Sequence, residues 1–246
     1  MRVNLLKSIG GIIVCGYILL LACRDQLGFY IHPRYHIFAS IISIVGIVLL
    51  FIDTMLQLKF KSATKPVKSK FNPKQVKPAS YLAIIILLAG YLLPPKPLSP
   101  SSLAQRESPA IIEPESRCEI PKPREGSSTV SINRWKTAIN SCKQTSYFNN
   151  ADISITGFVS NGLLKNYGYN YFYIARYVIS CCAVDSVPMK ILVEKNFFID
   201  YPDGTWLTVK GKLSQKVVNG QAEYVITDAR ADKIDQPKYP YELLGV

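Results

Sequence analysis

Apolar positions crowd the first part of the chain in unbroken runs, then give way to alternation. No charged residue lies between Lys7 and Arg24, between Arg34 and Asp53, or between Lys77 and Lys96. These gaps predict three helices, at about 8–23, 36–56 and 79–94. A helix rises about 1.5 Å per residue, so a hydrocarbon core of about 30 Å takes about 20 residues. The first and third runs are short spans whose flanking Lys and Arg must reach out to the headgroups. Stretches such as 41–51 and 82–93 are apolar on every face, which argues against the amphipathic helices of a soluble core.

Beyond residue 130 the pattern changes. Ser131 stands as a helix N-cap before Ile132, Trp135, Ala138 and Ile139, which share one face, and the helix is expected to end near Gln144. Strand patterns follow at 152–160, 169–180, 189–194, 205–216 and 222–234. Asp203-Gly204 marks a turn, and Asn219-Gly220 is a type I′ hairpin signal because both of its residues accept positive φ. Two strands share a glycine, in Ile155-Thr156-Gly157-Phe158-Val159 and in Val209-Lys210-Gly211-Lys212-Leu213. Glycine inside a strand marks a bulge or a sharp bend, and small barrels need such points to close. The expected fold class is three transmembrane helices followed by an all-β, OB-like, five-stranded small barrel preceded by one helix; a small open sandwich is the alternative. Eight of the sixteen prolines fall within 94–129, which suits an extended tether. The chain therefore divides into a membrane domain at 1–95, a Pro-rich linker at 96–129 and a soluble β domain at 130–246.

Charge sharpens this division. The first 127 residues hold 16 Lys/Arg against 7 Asp/Glu, and the rest hold 13 against 10, so the basic excess belongs to the membrane half. The folded half is nearly neutral and lacks the electrostatic footprint of a nucleic-acid binder. The 59–77 loop carries seven lysines and no acid, which places it, with Arg2 and Lys7, on the cytoplasmic side. Three crossings then put the β domain outside the cytoplasm. Leu20-Leu21-Ala22-Cys23 also resembles a lipoprotein cleavage box, with a poorly fitting Leu at its second position. Cleavage there would leave the β domain outside.

The residues richest in chemistry are Arg176, Cys181, Cys182 and Asp185. Adjacent cysteines on a continuing strand would point to opposite faces. With Asp185 they offer two thiolates and a carboxylate, a donor set that could seed a zinc or copper(I) site; buried structural cysteines are the plainer reading. Thiol redox catalysis would require a thiol of lowered pKa, and no Cys-x-x-Cys accompanies it. Cys118 and Cys142 lie on the same expected side, where a disulfide persists; they could pair with each other or with Cys181 or Cys182. Arg176 calls for an anionic ligand or for an ion pair with Asp185 or a rim acid. Tyr167, Tyr169, Tyr171, Tyr173 and Tyr177 form a stripe that is either a stacking surface or core and contact surface. His32 and His36 are four apart, on one face if helical, and Asp53 is an acid near the end of the second span. No P-loop, G-x-S-x-G, H-E-x-x-H or dinucleotide fingerprint is present, so no enzymatic activity is expected.

These pieces together resemble the YcgQ family of bacterial membrane proteins. The matching residues are Ile31-His32-Pro33-Arg34, Leu92-Leu93-Pro94-Pro95-Lys96-Pro97-Leu98-Ser99, the two glycine-bearing strands, and Ala175 to Asp185. The stretch carried by Arg176, Val178, Ile179, Cys181, Cys182 and Asp185 is the most specific part. The resemblance implies a non-catalytic accessory subunit of a two-component membrane permease, working in the lipid bilayer with a larger YcgR-like subunit. It supplies no substrate and no catalytic residues. Cys118 and Cys142 are not features of that resemblance.

Overall fold

The computed structural model describes residues 2–59, 90–105, 118–161, 170–195 and 201–244. It divides into two compact units, Met1–Lys96 and Pro97–Val246.

In the first unit, α1 (Arg2–Cys23) and α2 (His36–Lys59) form a helical hairpin joined by 3-10 turns at Leu27–Phe29 and Pro33–Tyr35. Glycines let the two backbones approach. A methyl group added at Gly11 would lie 2.6 Å from Leu50 Cδ1, and one at Gly46 would lie 3.1 Å from Cys15 Sγ. Small residues at such crossings let helix backbones come close together. Ser8 Oγ also donates to Asp53 Oδ2 across the hairpin at 3.2 Å. Only the segment Pro33–Leu56 is both long and apolar enough to cross a membrane among the described residues; the apolar part of α1, Ser8–Cys23, is shorter. Most of the helix expected at 79–94 lies outside the described residues. His32 and His36 do not share a helix face. His32 is extended (φ −61°, ψ 138°) and its Nδ1 accepts from the Arg34 N–H, while His36 Nε2 contacts the Ile31 carbonyl at 3.2 Å. The proline at the start of the second turn forces that break, since the residue before proline is driven out of the helical region.

The second unit is a closed five-stranded barrel preceded by a helix, α3 (Ile132–Ser141). Its strands are β1 (Ala151–Ser160), β2 (Tyr171–Ile179), β3 (Val187–Glu194), β4 (Trp206–Val218) and β5 (Gln221–Lys233). They run around the barrel in the order β1-β4-β5-β3-β2, and β2 closes back on β1. All neighbours are antiparallel except β3 and β5. A two-residue strand absent from the sequence reading, β6 (Glu242–Leu243), adds to β2 in parallel.

Both strand glycines sit where the barrel turns. β1 pairs with β4 from Ala151 to Phe158 and with β2 from Phe158 to Ser160, so Gly157 lies at the point of closure. A methyl group there would lie 2.5 Å from the Ala175 carbonyl oxygen. Gly211 lies within the register shift between β4 and β5. The extra residue belongs to β5, where Asp228 has φ 49°, and Gly211 makes room for the bulge: its added methyl would meet Thr227 O at 2.6 Å. Asn219 and Gly220 both have positive φ, as the type I′ hairpin demands.

The barrel interior is filled by residues such as Ile153, Ile155, Ile174, Val193, Leu207, Val209, Leu213 and Ile226. The apolar face of α3 contributes Ile132 and Trp135, with Phe148 edge-on to the Trp135 ring. Ser131 caps α3 by accepting from the Arg134 N–H. The helix ends at Ser141, earlier than expected, because Cys142 is extended (φ −95°, ψ 121°) and bonded to Cys118. β2 is buried on both faces. Its outer face packs Ala175, Tyr177 and Ile179 with Phe158, Leu103 and Tyr241. Tyr177 Oη donates to the Ser99 carbonyl and Tyr241 Oη accepts from the Leu98 N–H, so this part of the Pro-rich stretch is fastened to the barrel.

Candidate functional site

The Cys181-Cys182 pair lies just past the end of β2, where the chain leaves the strand and enters a 3-10 turn at Ala183–Asp185. Asp185 is the reason for the turn. Its Oδ1 accepts from the Ser180 N–H at 3.1 Å, and its Oδ2 accepts from the N–H groups of Cys181 and Cys182 at 2.6 and 3.3 Å. Cys182 returns the favour, its side chain accepting from the Asp185 N–H, which completes a capping box. The strand does not continue through the cysteines, so the alternation that would separate their side chains is lost. The Cys181 thiol instead donates to Cys182 Sγ at 3.5 Å. Both thiols are free, Cys181 exposed and Cys182 half-buried.

The electrostatics follow from this turn. The Cys181 thiol, hydrogen-bonded to the Asp185 carboxylate and then to Cys182, has its pKa pushed up to about 12. This is the opposite of an activated redox thiol. At Asp185, burial alone would raise the pKa; hydrogen bonds from the Cys181 thiol and from three backbone N–H groups outweigh it and bring the carboxyl below its ordinary value. The turn therefore sets a carboxylate favoured in its ionised form beside the Cys181 thiol, favoured in its protonated form, and the neighbouring Cys182 sulfur. Their donor atoms all lie within 4.8 Å of one another. Tetrahedral zinc with Zn–S near 2.3 Å and Zn–O near 2.1 Å sets its ligand atoms roughly 3.5–3.8 Å apart, so the set is compact enough for a soft metal. The thiols would have to release protons to bind it.

Arg176 does not join this group, nor does it pair with Asp185, whose oxygens are occupied by the turn. Its Nε and Nη2 donate to the carbonyls of Pro240 and Tyr239 at 3.1 and 2.7 Å, and its guanidinium lies 5.6 Å from the Trp206 ring centroid. The acid near it is Glu242, which the sequence reading missed. Glu242 is buried and accepts from the Ile132 and Asn133 N–H groups, at 2.7 and 2.9 Å, at the start of α3. Burial raises its pKa, against the pull of Arg176 and the two N–H groups, and burial likewise lowers that of Arg176. No local pattern announces Glu242, because its hydrogen-bond partners are more than a hundred residues away in the chain.

The tyrosine stripe is divided. Tyr173 and Tyr177 are buried, and Tyr171 is half-buried, so these three present no open stacking platform. Tyr167 and Tyr169 lie outside the described residues. Of the disulfide alternatives, the structure has Cys118–Cys142.

Residues 128–242, the barrel with its leading helix, are similar to the DUF1980 C-terminal domain family. No curated protein and no solved structure matches the chain.

Proposed function

We propose that this chain is a membrane-anchored, non-catalytic accessory subunit of a YcgQ-type two-component permease. Its apolar helices, three in this reading, would pack in the cell membrane against a larger YcgR-like subunit, with the barrel on the extracytoplasmic side. The observation that carries this reading is α2. Its most apolar window is only 6% buried, with side chains such as Ile37, Phe38, Leu49 and Phe51 exposed. A soluble protein does not leave such a surface uncovered; lipid and partner helices would cover it. The lysine-rich 59–77 loop supports a cytoplasmic position for that loop, and the Cys118–Cys142 disulfide supports an oxidising compartment for the barrel. The similarity of residues 128–242 to an uncharacterised domain family is consistent with an accessory role. The test is purification of tagged full-length protein in mild detergent, with mass spectrometry of what accompanies it. A second multi-pass protein at near-equal amount is the expected result. Recovery of this chain alone, or as a homo-oligomer, under several gentle detergents would overturn the partnership.

The clustered donor atoms of Cys181, Cys182 and Asp185 favour a second reading, a zinc- or copper(I)-binding module. Metal analysis of the full-length protein, beside a Cys181→Ser/Cys182→Ser variant, distinguishes the two. Stoichiometric metal that is lost in the variant supports the module; a metal-free, folded protein after zinc loading and washing removes it.

A further inference from the structure

A cleft of about 230 Å³ opens between the segment leading into α3 and the strand β6. Three arginines line it, Arg124, Arg134 and Arg176, together with the hydroxyls of Ser127 and Ser131. Arg124, Ser127, Ser131 and Arg134 come from the stretch that leads into and begins α3, and Arg176 comes from β2, so the fold brings two separate parts of the chain together. Glu242 is the one acid in the lining. Its two oxygens are already taken by the N–H groups that begin α3. The site thus carries three positive charges against one negative.

Two of the guanidiniums are held in place by neutral groups. Arg176 is tied to the carbonyls of Tyr239 and Pro240, and Arg134 Nη1 donates to the Lys122 carbonyl at 2.9 Å. Among the described residues, none of the three arginines forms a salt bridge. Carbonyls fix the position of a guanidinium without cancelling its charge. A fork held in this way is set up to make charge-assisted, bidentate hydrogen bonds to an oxyanion, with little further ordering to be lost on binding. The Ser131 hydroxyl, whose oxygen accepts from the Arg134 N–H, retains its own proton to donate.

We propose that this cleft binds a phosphate group, either as free phosphate or on a lipid headgroup. Two excess positive charges match a phosphate near its dianionic form better than a single carboxylate. Converging forks and hydroxyls also supply more donors than the two oxygens of a carboxylate can use. The volume is below the roughly 300–1,000 Å³ usual for whole small-molecule ligands, which suits the capture of one anionic group.

The experiment uses full-length protein in mild detergent. Equilibrium dialysis measures inorganic phosphate binding, and phosphorus analysis with native mass spectrometry measures retained phospholipid. Both are repeated for Arg124→Gln/Arg134→Gln, whose side chains sit near the surface, with tryptophan fluorescence confirming the fold. One phosphate per chain is expected, weakened about tenfold or more in the variant, as the loss of charge-assisted hydrogen bonds implies. Sulfate should compete and acetate should not. Phospholipid retained by the wild type and lost in the variant, without uptake of inorganic phosphate, supports the same site with a headgroup as its source. No binding of either kind, binding unchanged in the variant, or displacement by acetate as effective as by sulfate overturns the proposal.

Discussion

Replacing Gly157 by alanine tests the account of how the barrel closes. The new methyl group would lie 2.5 Å from the Ala175 carbonyl oxygen, 3.1 Å from the Ala175 carbonyl carbon and 3.1 Å from Ile174 Cγ1. Ordinary C···O contacts lie at about 3.3–3.6 Å, so β1 and β2 must separate by nearly an ångström. The obstacle is strand backbone, which cannot rotate aside as a side chain would. Both neighbours of Gly157 are also paired, β4 on one side and β2 just beyond. Overpacking of this kind costs about 1–3 kcal/mol, and a backbone obstacle in a closed sheet puts the cost toward the upper end. Alanine recovers about 0.4–1 kcal/mol by restricting the unfolded chain. The net expectation is a loss of about 2 kcal/mol, or a fall of about 1 M in the urea midpoint if the slope is about 2 kcal/mol per M. Both tryptophans, Trp135 and Trp206, lie in the second unit, so tryptophan fluorescence reports its unfolding in the full-length protein. Gly220→Ala is the comparison. It meets nothing within 4 Å but sits at φ 76°, so it should cost only about 1 kcal/mol, from the left-handed backbone. A Gly157→Ala midpoint equal to or above that of the wild type would refute the close-approach argument.

Four further outcomes are expected. With a pKa near 12, Cys181 should alkylate slowly at pH 8, and Asp185→Asn should speed it by about tenfold or more by removing the carboxylate that disfavours the thiolate; site-resolved mass spectrometry showing equal rates would contradict this. The same raised pKa gives a stabilising effect that is present below the unfolded value of 9.0 and fades as pH rises from there toward 12. Cys118→Ser/Cys142→Ser removes a link across 24 residues and should destabilise the barrel by about 3 kcal/mol, read as a lower urea midpoint under non-reducing conditions. Because burial raises the Glu242 pKa above its unfolded value of 4.5, the wild type should gain stability relative to Glu242→Gln as pH falls from neutrality toward that value; urea midpoints for both proteins at several pH values should diverge, and a constant difference would show that Glu242 does not titrate in this way.

Much of this protein follows from local pattern. Apolar runs without charge predict helices because each turn must hide its own polar backbone, and α1 and α2 occur where those runs lie. Ser131 capped its helix and Asn219-Gly220 made its hairpin because those effects depend on residues within one turn of each other. The strand pattern likewise supported a closed barrel, with glycines at its points of bending. The pairing of Cys118 with Cys142 and the turn that brings two adjacent thiols together were open in the sequence. Each depends on where the backbone places groups that pattern alone does not locate. The sequence singled out Arg176 but not its environment. Its carbonyl partners lie more than sixty residues away, on a C-terminal segment whose strand is two residues long. Glu242, Arg124 and Arg134 left no periodic trace at all. They matter only because closure of the barrel folds the end of the chain back onto the start of α3, and long-range charge placement of that kind is decided by tertiary structure.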